Sequence, residues 1–261
     1  MRLVIQKYGG TSVSTLSHIE SVAERVHAMQ QQGVRVVVVV SAMSGVTDHL
    51  LDQAYALSHD PDPRELDRLL STGEMVSSAL LAMALQARGC PALALTGRQA
   101  GIVTDDVHTE AQIKRIDPTL LYRALDQNVT PVVAGFQGEN DVQDVTTLGR
   151  GGSDLTAVAL AARLRADCCV LYKDVDGIYS ADPHAVASAQ HLPFITYDDM
   201  FEMASAGAQV LQARAVALAK TYAVPMVVKS WLHHGSGTFI GEAPRVRATR
   251  PRLRTSLEPV S

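Results

Sequence analysis

From Val34 to Val40 the chain is an almost unbroken β-branched run, and no other feature restricts its fold as much. A strand that is apolar in both phases is buried on both faces, as in a parallel sheet covered by helices on each side. The residues before it fit that setting. Leu3 to Lys7 predicts a buried strand, which Gly9-Gly10-Thr11-Ser12 breaks. Ser14 or Thr15 can cap a helix whose apolar positions are Ile19, Val22, Ala23, Val26 and Met29, ending at Gly33. The opening is therefore βαβ. The polar loop Ser41 to Asp48 follows the second strand, at the carboxyl end where open α/β sheets place their ligands.

The rest of the chain continues the alternation. Residues 48–88 read as helical, with a break at Asp60-Pro61-Asp62-Pro63 and another near Ser71-Thr72-Gly73. Strands are predicted at Pro91–Leu95, Val129–Phe136, Cys168–Tyr172, Pro225–Lys229 and Gly237–Ile240, with a short hairpin arm at Gly101–Asp106. Helices are predicted at Pro118–Gln127, Leu155–Leu164, Tyr197–Met203 and Ala208–Tyr222. The 261 residues suffice for one large or two small domains with a full core. At 47% hydrophobic and 19% charged residues, the chain is too apolar to be disordered.

Charge and cysteine usage narrow the function. A net charge of −4 gives no overall basic field to recruit nucleic acid. Cys90, Cys168 and Cys169 form neither a disulfide framework nor a metal spacing, and read as small buried hydrophobes. The scattered histidines show no ligand spacing, so no metal site built by the protein is expected. The first residues form a short strand that turns polar rather than a signal peptide, and no apolar run approaches a membrane span. A cytoplasmic protein with no membrane partner is the expectation. The tail from Ala243 carries five arginines and three prolines, and reads as a solvated, partly disordered end.

The chemistry concentrates at Gly149-Arg150-Gly151-Gly152-Ser153-Asp154, between a strand-like run and a helical one. Glycines let the backbone approach a ligand, and a helix start offers N–H groups to an anion. Arg150 adds a planar fork for a carboxylate or phosphate. Asp154 is out of place in a purely anion-binding loop, so it orients a lysine or a metal. An anion loop that also carries a carboxylate suggests phosphoryl transfer.

Four segments in this order resemble the aspartokinase branch of the amino acid kinase family. They are Lys7 to Ser12, Ser71-Thr72-Gly73-Glu74, Thr146 to Asp154, and Asp174-Val175-Asp176-Gly177-Ile178-Tyr179 followed by Asp182-Pro183. Val133-Ala134-Gly135-Phe136 and Gly237-Thr238 also fit. The resemblance implies a three-layer αβα sandwich with a mainly parallel central sheet over residues 1–242. In it, an N-lobe (about 1–145) takes the acceptor acid and a C-lobe (about 146–242) takes ATP. The implied reaction phosphorylates the side-chain carboxylate of L-aspartate with ATP and Mg²⁺, and the implied assembly is a homodimer. Many such enzymes continue into two ACT domains that sense end products, and this chain is expected to lack them.

The resemblance also implies roles. Lys7 stabilises the transferring phosphoryl group, and Asp154 orients Lys7. Gly9, Gly10 and Ser12 line the phosphate path. Glu74 accepts from the substrate ammonium and Arg150 pairs with its α-carboxylate. Ser41, Thr47, Gly151, Gly152 and Ser153 complete the acceptor site. Thr47 reads equally well as helix-cap chemistry. Asp174, Asp176, Tyr179 and Asp182 belong to the nucleotide segment, where Asp-Gly alone would be a simple turn.

Three positions depart from the pattern. Gln209 stands where the family usually carries a lysine that touches nucleotide phosphates. Lys173 stands where a small hydroxyl residue is favoured, and His184 where arginine is frequent. Lys173 is expected to restore the charge that Gln209 lacks. A kinase for another amino-acid carboxylate, and a non-catalytic regulatory subunit, are the competing readings.

Overall fold

The structure is a computed structural model and describes residues 2–243 except His184, Ala187, Gln209 and His234. Gln209, His184 and the tail from Pro244 therefore lie outside the described residues. The first half of the chain runs β1 (Leu3–Tyr8), α1 (Leu16–Gln31), β2 (Arg35–Val40), α2 (Val46–Leu57), α3 (Pro63–Gln86), β3 (Ala92–Leu95), β4 (Ile102–Thr104), β5 (Ile113–Ile116) and α4 (Thr119–Asp126). Next come β6 (Thr130–Ala134), β7 (Gln137–Glu139), β8 (Val145–Thr147), α5 (Gly152–Leu164), β9 (Cys168–Lys173), β10 (Ile178–Tyr179) and β11 (His191–Leu192). The chain closes with β12 (Phe194–Thr196), α6 (Tyr197–Ser205), α7 (Ala213–Thr221), β13 (Met226–Ser230) and β14 (Thr238–Gly241).

Eight strands form the central sheet in the order β12-β14-β13-β9-β1-β2-β6-β3. All of its pairings are parallel except β13 with β14. Alternation along each strand fills two cores. Ile5, Val37, Val39, Val133 and Leu171 pack with α5 and α7 residues such as Ala157, Leu160, Ala215 and Val216. Tyr8, Val36, Val38, Val40 and Tyr172 pack with Ile19, Val22 and Val26 of α1 and Leu81 and Leu85 of α3. Helices thus cover both faces, giving the three-layer αβα sandwich. Each fully buried aliphatic side chain contributes roughly 1.5–3 kcal/mol.

A smaller sheet, ordered β5-β4-β7-β8, stands beside the main one, and β10 and β11 form a two-stranded ribbon. The arm at Gly101–Asp106 is part of this smaller sheet, where β4 pairs antiparallel with β5.

Two sequence expectations need correction. The break near Ser71-Thr72-Gly73 does not occur, because α3 runs unbroken from Pro63 to Gln86. Gly73 serves close packing instead: a Cβ there would stand 2.8 Å from the Cβ of Ala42. The break at Asp60–Pro63 is real, with Asp62 accepting from the Arg64 and Glu65 amides and Pro63 opening the helix. Unbroken, α3 is long and apolar enough to cross a bilayer, yet half of its most apolar stretch is buried in this core. The helix expected from Ala208 starts at Ala213, and the residues just before it turn toward the cleft described next.

Candidate active site

The two strands at the middle of the sheet deliver the key cations. Ile5 and Leu171 face α5, and the same alternation puts Lys7 and Lys173 on that face at the carboxyl ends of β1 and β9. Lys7 lies opposite Leu171 in the parallel register, so the two lysines come from neighbouring strands one pleat apart. Asp154 meets them from the first turn of α5, which begins three residues earlier than the apolar pattern predicts. Lys7 Nζ is 2.8 Å from Oδ1 of Asp154, and Lys173 Nζ donates to Oδ2 at 2.6 Å.

The electrostatics follow from burial. Burial raises the Asp154 carboxyl, but Lys7 and Lys173 outweigh it and hold the group at about 2. Burial lowers the Lys7 ammonium, against the pull of Asp154, and the Lys173 charge lowers it further. Two ammonium groups on one carboxylate leave the trio with a net charge of +1. No side chain caps the first turn of α5, and Gly149 and Gly151 before it hold φ of +71° and +69°. Those left-handed values suit glycine and bring the helix start, with its free N–H groups, beside the trio.

A cleft of about 650 Å³ opens over this arrangement. Lys7, Ser41, Thr47, Asp154, Lys173 and the run Gly149 to Ser153 all line it, which brings Arg150, Gly151, Gly152 and Ser153 together with them. Arg150 is exposed, while Ser153 is buried.

Glu74 is set behind the cleft wall rather than on it. Burial lifts its carboxyl to about 7, although the Ala42 amide donates to it and Lys7 favours its ionised form. Its Oε2 is buried without a hydrogen-bond partner among the described residues. An orphaned buried carboxylate oxygen is costly unless a donor arrives with a ligand.

The remaining predicted residues among those described do not line the cleft. A Cβ at Gly9 would only touch Lys7 Nζ, at 3.6 Å, whereas one at Gly10 would stand 2.9 Å from the Ala42 carbonyl oxygen, so Gly10 is the close-packed one. Ser12 is fully buried and donates its hydroxyl to the Gly9 carbonyl at 2.6 Å, fixing that turn. Asp174 and Asp176 are exposed on the loop leaving β9 directly after Lys173. Tyr179, farther along, meets His191 edge-on at 5.4 Å between ring centres. Asp182 is exposed, and its carbonyl accepts from the Val186 amide at 2.8 Å.

Several lining residues escape the sequence reading, notably Tyr55, Thr109, Glu110, Thr147 and Gln212. Thr147 is the one with a usable signal, because it falls inside the motif stretch Thr146 to Asp154.

The amino acid kinase family profile matches residues 2–230, and the chain belongs to that family. Within it, the chain is most usefully set beside aspartokinases. It is 53% identical over 240 residues to the aspartate kinase Ask_LysC of Stutzerimonas stutzeri, covering 92% of this chain and 58% of that protein. It is 50% identical over 242 residues to an aspartokinase of Geobacillus stearothermophilus, covering 93% and 60%. The chain thus spans under two thirds of the length of these relatives. Among solved structures, aspartate kinase from Synechocystis superposes with a TM-score of 0.84 at 46% identity, over 93% of this chain and 40% of that one. Aspartokinase III of E. coli, in complex with aspartate and ADP, superposes with a TM-score of 0.82 at 26% identity, over 94% and 66%.

Proposed function

We propose that this chain phosphorylates the side-chain carboxylate of L-aspartate with ATP, giving 4-phospho-L-aspartate and ADP. The Lys7–Asp154–Lys173 trio at the start of α5 carries the reading. It offers a fixed, partly buried net positive charge where a phosphoryl group passes between two oxygens. A carboxylate oxygen attacks the γ-phosphorus and the bond to ADP breaks. The acceptor is already ionised at neutral pH, so the step needs no general base.

The substrate is a zwitterion with an extra carboxylate, and the residues match its charges. The unpartnered oxygen of Glu74 suits the ammonium, and the Arg150 fork suits the α-carboxylate. Ser41, Thr47 and Ser153 supply hydroxyls around them, with the Gly151 and Gly152 backbone beside them. Gly9, Gly10 and the Ser12-braced turn shape the phosphate path. Asp174, Asp176, Tyr179 and Asp182 serve the nucleotide, with residues 1–145 as the acceptor lobe and 146–242 as the nucleotide lobe. Lys173 supplies the C-lobe cation that Gln209 does not. Mg²⁺ enters with the phosphates, which offer the oxygen ligands it prefers. The aspartate and ADP bound by E. coli aspartokinase III support the same choice of ligands. Exposed Met75, Val76 and Met83 on the outer side of α3 support a homodimer, and a biosynthetic kinase of this kind works in the cytoplasm.

The test is ADP release from Mg-ATP across a panel of amino acids, beside Lys7→Ala. Turnover with L-aspartate that disappears in the variant is the expected result. Turnover with another acid alone would replace the acceptor, and nucleotide binding without any turnover would make the chain a regulatory subunit.

A further inference from the structure

One buried carboxylate has no place in the chemistry above. Asp67, on α3, is fully buried, and among the described residues no lysine or arginine pairs with it. Its charge is met by hydrogen bonds from one wall of the cleft. The Thr109 amide donates to both oxygens at 3.1 Å, the Thr147 hydroxyl donates to Oδ1 at 2.5 Å, and His108 Nδ1 lies 2.7 Å from Oδ2. A carboxylate only accepts, so Nδ1 carries the proton there.

What Asp67 holds is strained and sits next to the ligand loop. Thr109 has φ of +68°, a left-handed value that an ordinary side chain adopts at a cost. Its carbonyl lies against Gly149, where a Cβ would stand 3.2 Å away. The Ala111 amide donates to the Thr147 carbonyl at 2.8 Å, closing the segment onto β8. Thr109, Glu110, Thr147, Gly149 and Arg150 all line the cleft, as do Leu66 and Leu70 on the helix that carries Asp67.

We propose that Asp67 is a positioning residue: by holding Thr109 in its strained conformation against Gly149, it fixes where Arg150 presents its guanidinium to the acceptor. The inference rests on the acceptor role given to Arg150 above. It makes no demand on the lysine trio, so acceptor affinity and the phosphoryl step should separate.

Asp67→Asn keeps the size and puts an NH₂ group among donors. With L-aspartate and Mg-ATP it should raise the acceptor KM by about tenfold or more, with kcat at saturating acceptor and the ATP KM within about threefold of the parent. His108→Asn, whose amide nitrogen stands where Nδ1 does, should stay near the parent, while His108→Leu should move toward Asp67→Asn. A merely structural role predicts a lower melting temperature and a lower kcat with the acceptor KM unchanged, and that result would overturn the proposal. Amide exchange of the unliganded proteins reads the same point without turnover. Faster exchange at 149–152 in Asp67→Asn supports the proposal, and unchanged exchange there overturns it. A parent protein that fails to use L-aspartate counts against the acceptor assignment instead, and the exchange comparison still stands.

Discussion

Removing Lys173 should slow the chemical step by two to three orders of magnitude. The number comes from the charge on the trio. Lys7 and Lys173 share one carboxylate, so the floor of the cleft carries +1. Lys173→Ala takes it to zero, where the proposed reaction gathers charge on the phosphoryl oxygens. At an effective dielectric of about 20, a unit charge roughly 4 Å away is worth about 4 kcal/mol. Loss of one preorganised donor at such a site is known to cost roughly 2.7–4 kcal/mol, or about 100- to 1000-fold in kcat. Both routes give the same range, which assumes that nothing else supplies the charge. The assay is steady-state ADP release with L-aspartate and Mg-ATP, comparing Lys173→Ala, Lys173→Gln and Lys173→Arg, with melting curves to confirm folding. Arginine should retain far more activity than alanine or glutamine. A folded Lys173→Ala with kcat and ATP KM within about threefold of the parent would refute the reasoning.

Glu74, with its carboxyl near 7, should make the L-aspartate KM climb as pH falls below neutrality, and Glu74→Gln should lose that dependence. The same group sets a stability trend. Its folded value lies above its unfolded one, so stability should be lost as pH rises from 4.5 through about 7, by about 3 kcal/mol, in urea titrations at pH 5 and 8. Gly73→Ala should destabilise by about 1–2 kcal/mol in the same titration, because the Cβ overlap with Ala42 outweighs the helix propensity gained. Stability equal to the parent's would mean that the loop after β2 yields easily. Cys168 and Cys169 are buried, and burial raises both thiols, Cys168 to about 11. A thiol reagent at pH 8 should therefore label neither until denaturant is added.

The sheet was readable because its strands carry one-sided or two-sided apolar runs, as at Val36–Val40 and Val132–Ala134. The small sheet was harder to read. β5 is Ile113-Lys114-Arg115-Ile116 and β7 is Gln137-Gly138-Glu139, too short and polar for periodicity to register. Gly73 misled because a close-approach glycine and a helix-ending glycine are the same letter. The glycine-rich loop Gly149 to Asp154 and Lys7 were legible as motifs, whereas the bond from Lys173 to Asp154 depends on strand alternation meeting a helix start. Asp67 was illegible, since an acid on an amphipathic helix ordinarily faces water. Its burial depends on a segment forty residues away folding over it.

On the proposed function, the pairing of β1 with β9 also ties activity to cooperativity. A shift of one residue between these strands would exchange Lys173 for Tyr172 or Asp174 on the α5 face, and no intermediate offset exists in a ladder of period two. Every active molecule therefore contains the central sheet in its native register. On the proposed function, catalysis would serve as a folding probe, and in denaturant activity should not outlast the sheet signal.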